Sequence, residues 1–240
     1  MWSTTASALL AAVLVGLGYR DGPYAFERRP FDWGLVGTVL RDRKWRLATG
    51  GYLGHMWELY AFWTWIAAFL AVSSATRAGA AWTGEYSTGV KLAAFAAIAV
   101  GGPACVWGGR VADRIGREKL TIGALSASGA CALLAGFLFG SSFLLLVPLA
   151  LVWGYFVIAD SAQFSALVTE VSPRHAVGTA LTIQVAAGFL LTMVTIQLVP
   201  AIAESAGWRW AFAVLAAGPA FGIATMRTLL RARVGDRPSA

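Results

Sequence analysis

Long apolar runs alternate with short polar breaks along the chain, at roughly 3–19, 47–72, 88–108, 120–140, 143–168, 177–201 and 208–229. About 20 apolar residues carry a helix across the hydrocarbon core of a bilayer, so the pattern predicts about seven transmembrane helices and an all-α membrane fold. The first run is short. It lacks a basic leading segment and a clear small-residue cleavage site, which makes a removable leader the weaker reading of it. Gly101-Gly102-Pro103 inside the third run predicts a kink, tolerable where neighbouring helices cover the freed backbone groups. The organisation expected is a first helix at 1–19, a basic loop at 20–46, a six-helix bundle at 47–230 and a tail at 231–240.

The polar breaks set an orientation. Of the 19 Lys and Arg residues, 16 fall in 19–46, 109–119, 169–176 and the C-terminal end from Arg227 onward, all of which alternate to one side. The other side holds Arg77, Lys91 and Arg209. Basic loops stay inside, so the C-terminus is expected in the cytoplasm and the N-terminus outside, in a multi-pass protein of the cell inner membrane. The second half of the basic loop sets Phe31, Trp33, Leu35, Val36 and Leu40 beside Arg41, Arg43 and Lys44. This reads as a short amphipathic helix on the membrane surface, or as a polar linker with the same composition.

Composition agrees. Hydrophobic residues make up 58% and charged residues 13% of 240, against about one quarter charged in soluble domains. The net charge of +7 is accounted for by the basic loops, and no nucleic-acid partner is inferred from it. Cys105 and Cys131 sit in apolar runs without metal spacing and read as packing residues. No HExxH, mid-span Ser–His pair or metal cluster is present in the sequence, so no catalytic residue, metal or cofactor is expected.

Within this apolar chain, residues 113–119 hold five charges: Asp113, Arg114, Arg117, Glu118 and Lys119. Gly109 suits close packing of a helix end. Gly116 suits a tight reversal. Asp113 suits a helix N-terminus, and Arg114 and Arg117 suit carboxylates or lipid phosphates. Such a set makes an electrostatic latch; the plainer reading is topology alone. The run from Gly109 through Asp113, Arg114, Gly116 and Arg117 to Thr121 closely resembles the signature loop of the major facilitator superfamily, departing from it at Glu118, where a second basic residue is usual. Gly207-Trp208-Arg209-Trp210-Ala211-Phe212 is similar to the opening of that family's last helix, and Ser172 to Ala180 to its loop before the eleventh.

The resemblance implies a secondary active transporter of a small-molecule substrate, working by alternating access in the lipid bilayer. It aligns the seven spans with helices six to twelve of a twelve-helix fold. The expected partner is then an N-terminal half, or a second copy. In the family the Asp and Arg of the loop help to hold one access state. A seven-span receptor or scaffold without transport activity is the alternative; no lysine of the retinal-binding kind lies mid-span.

Ionisable groups inside spans are functional candidates by default. His55 and Glu58 lie three apart on one helix face. The fifth span holds Asp160, Ser161, Gln163 and Ser165, and the sixth holds Thr182 and Gln184. At about 1.5 Å of rise per residue, His55, Asp160 and Gln184 lie at one depth, with Glu58 deeper. They are candidates for one polar cavity with aromatic walls from Tyr52, Trp57, Tyr60, Trp153 and Tyr155. A carboxylate near a histidine suits proton coupling, in symport or antiport. Interhelical hydrogen bonding is the plainer role for Gln163 and Gln184, and Trp82, Trp208 and Trp210 read as interfacial anchors.

Overall fold

The computed structural model describes residues 2–20 and 33–235. Among them are eleven α-helices and no strand. The first part of the basic loop, residues 21–32, and the last residues of the tail, 236–240, lie outside the described residues. The chain divides into two units, 1–33 and 34–240. In the first, α1 (Trp2–Gly18) is a 17-residue apolar helix whose leucines and valines are exposed.

The second unit contains six helical rods long and apolar enough to cross a membrane. Each ends where the sequence changes character. The amphipathic segment forms α2 (Trp33–Arg41), with Val39 buried and Trp33 and Leu40 exposed. Asp42 then accepts a hydrogen bond from the Trp45 backbone N–H at 2.7 Å and caps α3 (Arg43–Arg77), a 35-residue helix. Ser87 caps α4 (Thr88–Ala99) in the same way, through Val90 N–H. The second rod breaks at Val100 and resumes as α5 (Gly101–Ile115), which places the expected kink at Gly101-Gly102-Pro103.

Gly116, at φ +94°, turns the chain into α6 (Arg117–Phe137). A residue with a Cβ is strained in that conformation, so the glycine expected to allow reversal does so. The fourth rod consists of α7 (Phe143–Ala159) and α8 (Ser161–Val171), separated at Asp160. The fifth, α9 (Val177–Ala206), follows a 3-10 turn at Arg174–Ala176. Gly207, at φ +89°, starts α10 (Trp208–Ala211), and α11 (Ala217–Gly235) closes the bundle.

Two crossings fix the site. Helices α3 and α11 meet backbone to backbone, because a Cβ on Gly54 would collide with the Gly218 carbonyl and one on Gly218 would collide with Gly54. Helix α7 meets the second rod as closely: Gly154 lies against the Ala97 carbonyl, and Gly108 against the Ala159 carbonyl. Gly109, expected to provide that approach, faces open space; the neighbour one position earlier in the helix points at α7. Small residues allow such contact where lipid offers no hydrophobic drive for helix association.

Candidate functional site

The approach of Ala159 to Gly108 sets the next residue, Asp160, at the end of α7. Its backbone carbonyl accepts from Gln163 N–H at 2.9 Å, but its side chain caps neither helix. The side chain faces α3 instead, where Asp160 Oδ1 lies 3.0 Å from His55 Nδ1, with both side chains 1% exposed. Gly54 seats one face of α3 against α11, and its neighbour His55 takes another direction, toward the α7–α8 break. The two groups are at pairing distance but not aligned as a hydrogen bond, and the other carboxylate oxygen and His55 Nε2 have no partner among the described residues. Buried polar groups are nearly always bonded, so this unbonded pair is an exception that calls for a functional reason.

Aromatic side chains close the space around it. The His55 ring lies 5.4 Å from Phe164 and 6.3 Å from Tyr52. Gly51 lets Phe164 approach α3, and Gly188 on α9 lets Tyr52 approach in turn. Gln184, fully buried, donates Nε2–H to the Phe164 carbonyl at 3.5 Å, while its side-chain oxygen is unpartnered. Thus His55, Asp160 and Gln184 are brought to one region.

The remaining candidates go elsewhere. Glu58 accepts from Trp153 Nε1–H at 2.6 Å and from Ser128 Oγ–H at 2.8 Å, in the core between α3, α6 and α7. Gln163 accepts from Arg117 at 2.5 Å. Ser165 and Thr182 are exposed, the latter bonded to the Gly178 carbonyl. Of the expected aromatic walls, Tyr52 lies at the pair and the others point elsewhere. Trp57 donates to the Val214 carbonyl, Tyr60 packs with Trp63 and Phe189, and Tyr155 packs with Trp107 and Phe156. Cys131 is buried, whereas Cys105 is exposed on α5.

The charged loop takes part in an ion-pair network, a latch that holds Arg117, one of the residues expected there, and adds Glu118, Glu170 and Arg233. Arg117 binds Glu170 at 2.7 Å as well as Gln163, and Arg233 binds Glu118 at 2.7 Å and Glu170 at 3.0 Å. This joins the ends of α6, α8 and α11. Asp113 is 73% exposed and only reaches Arg117 at 4.0 Å, and Arg114 is exposed. Around this network lies a cavity of about 490 Å³ lined by Arg117, Glu118, Glu170 and Arg233 among others. Glu118, the departure from the family pattern, is nearly buried and supplies the carboxylate that holds the last helix. Through Gln163, one turn past Asp160, the latch also touches the α7–α8 break.

A double-mutant cycle of Glu118→Gln and Arg233→Gln is expected to give a coupling of about 0.5–1 kcal/mol in thermal unfolding, kept small by solvent at the 35% exposed Arg233. Arg114→Ala is expected to shift stability by less than about 0.5 kcal/mol. A coupling of zero in the cycle would deny the clamp any energetic role.

Six membrane-length helices around a buried imidazole–carboxylate pair define a multi-pass membrane protein with an ionisable interior. The sequence profile described as Major Facilitator Superfamily matches residues 50–239. The chain therefore belongs to the major facilitator superfamily, and it is a transporter of the major facilitator type. Among curated proteins, none matches it.

Proposed function

We propose that the protein moves a small solute across the cell inner membrane by proton-coupled alternating access, with His55 and Asp160 as the coupling pair. The observation that carries this reading is the buried His55–Asp160 contact at the break between α7 and α8. A proton arriving there changes the charge of the pair, and with it the attraction holding α3 to the break. The close packing of Phe164 and Tyr52 against glycines suits a proton better than a solute as the occupant. The solute would then bind where this bundle meets a second one, supplied by a longer polypeptide or by another copy, as two-halved transporters place their sites between repeats. The bias of Lys and Arg supports a cytoplasmic position for the end that carries the latch.

The purified protein in proteoliposomes, under an imposed pH gradient, tests the reading. A panel of labelled hexoses, amino acids, carboxylates and amines should include at least one solute whose accumulation a protonophore collapses. Accumulation indifferent to the protonophore would contradict coupling, and no accumulation by any solute class would favour a receptor or scaffold. An immunoblot of the C-terminally tagged native product separates the two sources of the second bundle. A band near 25.3 kDa indicates pairing of copies, and one near twice that mass a longer chain.

A further inference from the structure

Among the described residues, Asp160 and Glu58 are the carboxyl groups exposed by 1% or less, and their surroundings differ. Asp160 has only the unaligned imidazole beside it. Both oxygens of Glu58, which is 0% exposed, are hydrogen-bonded. The donors come from two helices: Trp153 Nε1–H on α7 and Ser128 Oγ–H on α6, the latter also within reach of the Leu125 carbonyl at 3.3 Å. Trp153 is 1% exposed, tilted against Phe62 at 4.6 Å and edge-on to Phe212 at 5.3 Å, so its indole has little freedom.

We infer that Glu58 is a positioning residue, a pin that fixes the register of α7 against α3 and thereby holds Asp160 beside His55. The spacing carries this. Glu58 is one turn beyond His55 on α3, and Trp153 is two turns before Asp160 on α7. The two helices therefore touch at two polar points, and sliding α7 along α3 to separate Asp160 from His55 must also break the Glu58–Trp153 bond. The chemistry of the pin needs no negative charge. A carboxamide in the same place accepts from Trp153 through its oxygen and donates to Ser128 Oγ, whose own hydrogen then goes to the Leu125 carbonyl. Glu58→Gln leaves every group bonded, while Glu58→Ala strands the indole N–H in the core, the costly half of a broken buried bond.

This inference rests on the coupling role proposed for the His55–Asp160 pair, and its test separates the two. The titratable groups that face the carboxyls are His55 on α3 and Cys105 on α5 for Asp160 and Cys131 on α6 for Glu58; the two carboxyls also act on each other, and Tyr52 stacks on His55. The unfolding temperature of the purified full chain in detergent is measured across pH for wild type, Glu58→Gln, Glu58→Ala, Trp153→Phe and Asp160→Asn. Glu58→Gln is expected to keep both the wild-type unfolding temperature and its pH profile. Glu58→Ala is expected to unfold lower by on the order of 5 °C with a distorted profile, and Trp153→Phe to follow it in direction. Asp160→Asn is expected to flatten the profile. If Glu58→Gln flattens it as Asp160→Asn does, Glu58 carries a proton itself and the inference fails. If Glu58→Ala matches wild type, there is no pin. If only Asp160→Asn departs from expectation, the coupling reading fails while the pin stands.

Discussion

Replacing His55 by leucine is expected to be among the most damaging single changes in the interior of the bundle. The substitution leaves Asp160, 1% exposed, without the imidazole that lies 3.0 Å from its carboxylate. Removing one member of a buried charge pair costs about 3–5 kcal/mol, much of it from the charge left behind. Asp160→Asn is milder, since the amide keeps polar contact and carries no charge. The double change His55→Leu with Asp160→Leu is expected to recover most of the loss, because an apolar pair of similar volume often equals or exceeds a buried ion pair. Folded yield and thermal unfolding of the three variants measure this. All three are expected to lose gradient-driven accumulation, the double variant while remaining folded. Equal stability of His55→Leu and wild type would show that the 3.0 Å contact is not held as a pair.

The second large effect falls on glycines. Gly154→Val sets a branched side chain against the Ala97 carbonyl, and Gly54→Val sets one against the Gly218 carbonyl. A flexible side chain gives way, but backbone moves only by separating α4 from α7 or α3 from α11. Both are expected to exceed the usual overpacking penalty of about 1–3 kcal/mol and to abolish folded protein. Gly123→Ala on α6, where a new Cβ meets nothing within 4 Å, is the control. It is expected to be neutral or to stabilise by up to about 1 kcal/mol, since glycine is a poor helix former. Comparable losses at Gly123 and Gly154 would mean that the crossings are not close contacts. Gly101 is intermediate, because its neighbour is the Ile158 side chain, which can shift.

The helical rods were legible because each is an unbroken apolar run bounded by caps or reversals, as at Asp42, Ser87 and Gly116. The break at Val100 was legible in Gly101-Gly102-Pro103. The break at Asp160 was not, since Ile158-Ala159-Asp160-Ser161 contains neither glycine nor proline. It is imposed by packing, where Ala159 meets Gly108. His55 and Asp160 stood out as ionisable residues inside spans, but their pairing depends on helices about 100 residues apart, a separation no local pattern encodes.

The latch shows the limit of a motif. The family pattern directs attention to Asp113, Arg114 and Arg117; of these Arg117 is bonded as expected, while the other close members of the network are Glu118, Glu170 and Arg233 rather than Asp113 and Arg114. Glu170 and Arg233 sit at ordinary helix ends, and nothing local marks them. The available signal was Glu118: an acidic residue in a basic motif needs a cation, and the arginines of the last helix were the remaining supply. Gly109 and Gly108 differ by one position, or 100° of helix rotation, and only the packing decides which of them faces α7.

The most direct test of the account is infrared difference spectroscopy of the purified protein during a pH titration, comparing wild type with Asp160→Asn. A carboxyl C=O band that rises as protons are taken up should be present in wild type, shift in deuterated water, and vanish in Asp160→Asn. A band that persists unchanged in Asp160→Asn would place the proton on another group and contradict the assignment of His55 and Asp160 as the coupling pair.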